Sequence, residues 1–214
     1  MLIKLINDIK SVIPSQIIGK NCVEFLKENN YNWRQMEWSG WWFDFIGKKC
    51  LENLTGNCEE PRYGNTTFDG IIDGIDVDFK THAIHNNKGT VNHVVQCNDW
   101  DATEESLKKN GKMYYIVLDV DYEYDNDGSF KRWHDYMKGI ITKYCFTTKR
   151  ISRMRKKSGE IKSIKIYEIN ENTFNDKNVC KKLTQGRNSN GAPRGFKMGL
   201  NTKNICPIHA INFS

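Results

Sequence analysis

The stretch Phe68-Asp69-Gly70-Ile71-Ile72-Asp73-Gly74-Ile75-Asp76-Val77-Asp78-Phe79-Lys80 decides how this chain is read. Asp73-Gly74 stands between two runs that suit extended backbone. An Asp-Gly pair favours the type I′ turn, because both of its central positions need φ > 0. The spacing predicts a hairpin over 67–72 and 75–81. With Asp73 and Gly74 as the loop, Ile72 falls opposite Ile75, Ile71 opposite Asp76, Gly70 opposite Val77, and Asp69 opposite Asp78. Opposed residues project to one sheet face with Cβ atoms roughly 4.5–5.5 Å apart. Lys80 follows Asp78 at the strand period and shares that face, while Val77 and Phe79 point to the other, towards a core.

Two carboxylates placed in this way repel each other, and a divalent cation between them removes the cost. Mg²⁺ prefers oxygen ligands and retains waters. Asp69, Asp78 and the backbone carbonyl of Phe79 form the candidate ligand set, for one or two ions. Such an ion acidifies a bound water and neutralises charge developing on a phosphate. Lys80 is placed to orient or deprotonate that water, or to stabilise the pentacovalent phosphate. Asp76 and Asp73 are alternative first acids; Asp76 shares the Asp78 face and suits an outer ligand, whereas Asp73 is drawn into the turn.

Asp69, a gap of eight residues and then Asp78-Phe79-Lys80 resemble the PD-(D/E)XK nuclease superfamily, which includes most type II restriction endonucleases. The likeness covers roughly residues 33–121, the expected nuclease core. Phe68 stands where that pattern often carries Pro, and Asp78 where it more often carries Glu. The order of helices, hairpin, strand, helix and strand suggests an α/β domain with a mixed central β-sheet flanked by helices, and the resemblance implies a restriction-endonuclease-like core. It also implies Mg²⁺-dependent hydrolysis of double-stranded DNA at a short specific sequence. A homodimer is expected, since two-fold DNA symmetry invites a two-fold protein, with a cognate DNA methyltransferase implied genetically and not physically. In several such enzymes a helical glutamate faces the metal, and Glu37 is the match. A polar residue often ends the third strand beside the site, and Gln96 is the match. Two other readings use the same residues: a structure-directed nuclease of repair or recombination, and a non-catalytic DNA-binding protein that has kept the fold.

Working outward, residues 2–13 and 15–27 read as two amphipathic helices split near Pro14, with Ser15 as a cap. A long helix is expected over 33–54, where Trp38, Trp41, Trp42, Phe45 and Lys49 recur at helical spacing, so the tryptophans read as core packing. Beyond the hairpin, strands are expected over 91–97, 113–121 and 161–169, and helices over 103–110 and 130–138. His82 continues the Asp78/Lys80 face, while His85 and His93 have no evident partner.

The chain of 214 residues suits a single domain over 1–214 and buries a sizeable core. The seven cysteines are scattered without a Cys-x-x-Cys pair, which argues for free thiols in a reducing cytoplasm. No apolar run has membrane-spanning length, and Asp8 interrupts the opening too early for a signal-peptide core.

Charge is unevenly spread. Residues 131–203 hold 19 of the 32 Lys/Arg and 5 of the 26 Asp/Glu, a balance of +14 against −8 for the remainder. An acidic part able to hold cations thus lies beside a basic part able to hold a polyanion. Residues 139–214 are the expected DNA-recognition extension. Within it, 184–204 reads as a polar loop. Its Gln185, Arg187, Asn188, Ser189, Asn190, Arg194 and Lys197 suit base edges and phosphates, since Arg reads guanine and Asn or Gln reads adenine. Lys156 and Lys157 close a dense basic run from Lys149 that suits phosphates.

Overall fold

The computed structural model describes residues 1–56, 68–140, 155–187 and 191–213. Helices α1 (Leu2–Val12) and α2 (Gly19–Glu28) flank a short strand, β1 (Gln16–Ile18). The single helix expected over 15–27 is therefore divided. The β-branched Ile17 and Ile18 favour extended backbone, and Ile18, not Ser15, holds the N-cap position of α2. Helix α3 (Trp38–Thr55) begins later than residue 33 and ends at Gly56, whose φ of 72° suits glycine.

Strands β2 (Gly70–Ile72) and β3 (Ile75–Ala83) form the hairpin. Asp73 and Gly74 have φ of 52° and 79°, the positive pair that a type I′ turn requires. The remainder follows as β4 (Val94–Asp99), α4 (Trp100–Asn110), β5 (Lys112–Tyr124), α5 (Ser129–Met137), β6 (Lys156–Asn170), α6 (Glu171–Asn175), β7 (Cys180–Leu183), β8 (Lys197–Asn201) and β9 (His209–Asn212).

The central sheet runs β1-β6-β5-β3-β2, with β9 also beside β6. β3 and β5 are parallel, which demands a crossover between them, and β4 with α4 supplies it. The other pairs are antiparallel. The sheet is thus mixed and flanked by helices, as the sequence predicts. A second sheet, β4-β8-β7, packs beside it. The polar loop expected over 184–204 is consequently shorter, because 197–201 pairs as β8.

Both faces of the central sheet are buried. Tyr114, Ile116, Leu118, Val120 and Tyr122 of β5 join the core formed with α1, α2 and α3. Met113, Tyr115 and Val117 join a second core with the small sheet, α4 and α6. Burial on two sides explains why β5 reads as a nearly continuous apolar run. Trp38 and Trp42 of α3 are buried in the first core, as their spacing predicts. The α3 helix lies close on β3, since a Cβ at Gly47 would come within 2.5 Å of the Phe79 ring.

The segment after residue 139 is not an appendage. Its β6 and β9 complete the central sheet, and β7 and β8 complete the small one. The reason is pairing demand: β5 has a free edge that β6 fills along its whole length.

Candidate active site

The hairpin register is the expected one through Gly70↔Val77, Ile71↔Asp76 and Ile72↔Ile75. One residue further on, the ladder departs from expectation. The Asp69 N–H donates to the carbonyl of Val77 at 3.0 Å, so Asp69 does not pair across from Asp78. It nevertheless reaches the same place. Asp69 Oδ2 accepts the backbone N–H of Phe79 at 2.7 Å, on the stretch of β3 that β2 leaves uncovered.

Around that point the structure gathers a buried charged cluster. Lys80 Nζ lies against Asp78 Oδ2 and 3.3 Å from the Phe79 carbonyl oxygen. Asn98 Nδ2 donates to Asp78 Oδ1 at 3.1 Å. From α3, Lys48 Nζ sits 2.9 Å from Asp44 Oδ1 and 3.2 Å from Asp69 Oδ1. The Tyr31 hydroxyl bonds Asp44 Oδ2 and accepts from Lys48 at 3.3 Å. The Asp78 side chain is 2% exposed and that of Lys80 is 21%, so the cluster opens towards solvent at the lysine.

Three carboxylates (Asp44, Asp69, Asp78) therefore face two ammonium groups (Lys48, Lys80) in a poorly solvated place, one positive charge short. The acid–base balance reflects this deficit. Burial, and then the charge of Asp69, raise the Asp44 carboxyl to about 7 despite Lys48. Burial likewise holds Asp78 well above the carboxylate range, against the pull of Lys80. Burial acts on Asp69 too, but Lys80 and Lys48 outweigh it and keep Asp69 ionised. Burial disfavours a charged Lys80, yet Asp78 and Asp69 outweigh it and hold the ammonium above the ordinary lysine range. In this arrangement Lys80 is held as the ammonium.

The donor set fits a hard divalent cation. Asp78 Oδ2 and the Phe79 carbonyl converge on one point, now taken by the Lys80 ammonium, and Asp69 borders it. Among the described residues no three His, Cys, Asp or Glu side chains cluster as a metal cage. Two carboxylates and a carbonyl suit instead an ion that keeps part of its water shell, as Mg²⁺ does.

The other expected site residues lie elsewhere. Glu37 stands at the N-terminus of α3 and pairs with Lys156 at 3.1 Å. Glu37 is engaged by Lys156, and the α3 acid that joins the cluster is Asp44, two turns further along the helix. Gln96 is exposed, and Asn98, two residues further along β4, takes the place expected of it. Asp76 is also buried and is bonded by Ser106 at 2.5 Å, a role separate from the cluster. His82 and His85 each hold a carboxylate through Nδ1 at 2.8 Å, Asp119 and Asp121 respectively.

The basic segment is partly spent in ion pairs. Lys156 lies over the Tyr122 ring and pairs with Glu37, and Lys157 pairs with Glu123 at 3.4 Å. Neither is a free phosphate ligand in this arrangement. Lys197 pairs with Asp99 at 3.2 Å, Gln185 Nε2 donates to the Gly195 carbonyl at 2.8 Å, and Arg187 donates to the Gly191 carbonyl at 2.8 Å. The Trp100 N–H donates to the Phe196 carbonyl at 2.8 Å. The loop that carries Arg187 and Arg194 is thereby fastened to Asp99 and Trp100, directly after Asn98. Asn188, Ser189 and Asn190 lie outside the described residues, as does the basic run from Lys149 to Met154.

Among the described residues no helix is long and apolar enough to cross a membrane. No protein-family model, curated protein or solved structure matches the chain.

Proposed function

We propose that this chain is a Mg²⁺-dependent endonuclease for double-stranded DNA, of the type II restriction kind and working as a homodimer. The observation that carries the reading is the buried Asp69/Asp78/Lys80 cluster around the Phe79 backbone, one positive charge short and open at the lysine. A mixed sheet bearing this hairpin on a parallel β3–β5 pair supports the restriction-endonuclease-like core that the motif suggests.

The reaction class is phosphodiester hydrolysis. A water oxygen bonds to phosphorus, the bond to the leaving alkoxide breaks, and the water's proton is balanced by protonation of that alkoxide. A bound Mg²⁺ would supply an acidified water and charge neutralisation at the phosphate. Asp69, Asp78 and the Phe79 carbonyl would hold it. Asn98 fixes the rotamer of Asp78, and Lys48 fixes Asp69, so neither carboxylate is free to turn away. Lys80 contributes positive charge to the pentacovalent phosphate, which is electrostatic stabilisation of the kind that dominates many active sites. Arg187 and Arg194 on the fastened loop are the phosphate or base contacts nearest the Asn98 strand.

The test is digestion of supercoiled plasmid with Mg²⁺. Discrete bands that disappear in Asp78→Asn support the reading. An intact protein that binds duplex DNA and never cuts it sinks the catalytic assignment. Cleavage confined to nicked or branched duplexes moves it to a structure-directed nuclease.

A further inference from the structure

His82 is the second polar feature of the Asp78 face, and the proposed chemistry leaves it unused. It is 5% exposed. Its Nδ1 is held by Asp119 Oδ1 at 2.8 Å. Asp119 Oδ2 in turn accepts from Ser163 Oγ at 2.9 Å and lies 2.6 Å from Lys165 Nζ. Asp119 is ionised, since His82 and Lys165 outweigh the effect of its burial. Lys165 and Ser163 share that carboxylate with the imidazole. A carboxylate only accepts, so the neutral ring donates from Nδ1 and carries its lone pair on Nε2. Among the described residues nothing bonds that Nε2, although it is buried. An unfilled buried acceptor is costly, and a native structure that keeps one calls for a reason.

The neighbour that can fill it is Lys80. Both residues are on β3 in unbroken register with β5, Lys80 against Val117 and His82 against Asp119, and they project to the same face. Their Cα atoms are about 7 Å apart at the usual strand rise, a gap that the flexible stem of a lysine spans. The Lys80 ammonium now occupies the point where Asp78 Oδ2 and the Phe79 carbonyl converge. A cation binding those oxygens must displace it.

We infer that His82 Nε2 is the second seat of the Lys80 ammonium, taken up when a divalent cation occupies the Asp78/Phe79 oxygens. The lysine then has two places, one on Asp78 and one on His82. Asp119, with Ser163 and Lys165, holds the imidazole in the tautomer that makes the second place possible. His82 is a positioning residue: it favours cation entry by giving the displaced charge a partner. The inference rests on the divalent-cation reading of the site and not on DNA cleavage.

The experiment is calorimetric titration of Mn²⁺ into the full chain without DNA. His82→Asn keeps a donor at the Nδ1 position and removes the Nε2 acceptor. His82→Gln places an amide oxygen near the Nε2 position. Mn²⁺ affinity should fall about tenfold in His82→Asn and stay within about threefold of wild type in His82→Gln. In the Lys80→Ala background His82→Asn should have no effect, because no ammonium needs a seat. An unchanged affinity in His82→Asn, or an equal loss with and without Lys80, overturns the inference while the cation site stands. No Mn²⁺ binding by wild type overturns the cation site itself. Wild-type protein labelled with ¹⁵N-histidine gives a measurement that needs no variant. The His82 Nε2 resonance should shift on addition of Mg²⁺, and an unshifted resonance at saturating Mg²⁺ rejects the second seat.

Discussion

Lys48 Nζ stands 3.2 Å from Asp69 Oδ1, so a side chain of α3 holds the carboxylate of the hairpin. The same ammonium neutralises Asp44 at 2.9 Å, and all three groups are buried. Removing it leaves two carboxylates in a poorly solvated place. Lys48→Met should cost about 3–5 kcal/mol in urea unfolding, the usual penalty for breaking a buried ion pair. The loss should be larger at pH 8 than at pH 5. Asp44 is raised to about 7, chiefly by burial and then by Asp69. An acid whose folded pKa exceeds its unfolded one gives up stability as pH rises between those values, here from about 4 to about 7. Taking away the lysine widens that window. A loss below about 1 kcal/mol, or one independent of pH, would show that Lys48 is not the partner holding Asp69.

Lys80 separates chemistry from binding. Its ammonium supplies positive charge at the cluster, and the proposed DNA contacts lie on another segment. Lys80→Ala should lower the cleavage rate by at least about 10²–10³, the cost of removing one oriented electrostatic contact from an active site. Duplex affinity measured with Ca²⁺ in place of Mg²⁺ should stay within about threefold. Equal losses of both would mean that Lys80 belongs to the DNA-binding surface.

What the sequence reveals of this site is what is encoded locally. The Asp73-Gly74 turn, the alternation of β3 and the placement of Asp78 and Lys80 on one face all follow from residues within one hairpin, and the structure keeps each of them. The end of the β2 ladder does not follow, because the Asp69 carboxylate is shared between the Phe79 N–H and Lys48 of α3, a residue remote in sequence. Asp44 and Lys48 stand four residues apart on a helix, a spacing that ordinarily gives a pair facing water. The close approach of Gly47 to Phe79 turns that pair inward, and its only trace in the sequence is a glycine inside a strong helix. Glu37 misleads because the periodic run from Trp33 looks helical, whereas α3 begins after it. Asn98 stands at the strand period from Gln96, and it is missed because the strand expected over 91–97 stops one residue short of it, whereas β4 runs to Asp99.

A second pH window belongs to His134, away from the site. The ring is fully buried, its Nε2 meets the Trp33 carbonyl at 2.8 Å, and Arg155 lies 3.5 Å from Nδ1. Burial pushes this imidazole down from 6.5 to about 4. A base with a depressed folded pKa is protonated more readily when unfolded. Its stabilising contribution is complete above 6.5 and is lost as pH falls towards 4. By linkage the full loss is roughly 3 kcal/mol. Unfolding free energies at pH 7.5 and 4.5 should therefore differ by roughly 2–3 kcal/mol more in wild type than in His134→Gln. Asp44 works in the opposite direction but is common to both proteins and cancels. Identical differences would remove His134 as the cause.

The proposed path of DNA over the molecule is tested by which basic side chains release counterions. The loop carrying Arg187 and Arg194 is fastened through Gln185, Lys197 and the Trp100 N–H to the end of β4, next to the Asn98 that bonds Asp78. Lys156 lies about 30 Å away along β5 and is already paired with Glu37. Each phosphate contact contributes about −0.9 to the slope of log K against log salt. Arg187→Ala combined with Arg194→Ala should therefore flatten the slope by about two, whereas Lys156→Ala should leave it unchanged. The measurement is a fluorescence-anisotropy titration of a labelled duplex at several salt concentrations with Ca²⁺ present. If Lys156→Ala flattens the slope and the double arginine variant does not, the duplex lies across the far end of the sheet, and the fastened loop has no part in holding it over Asp78.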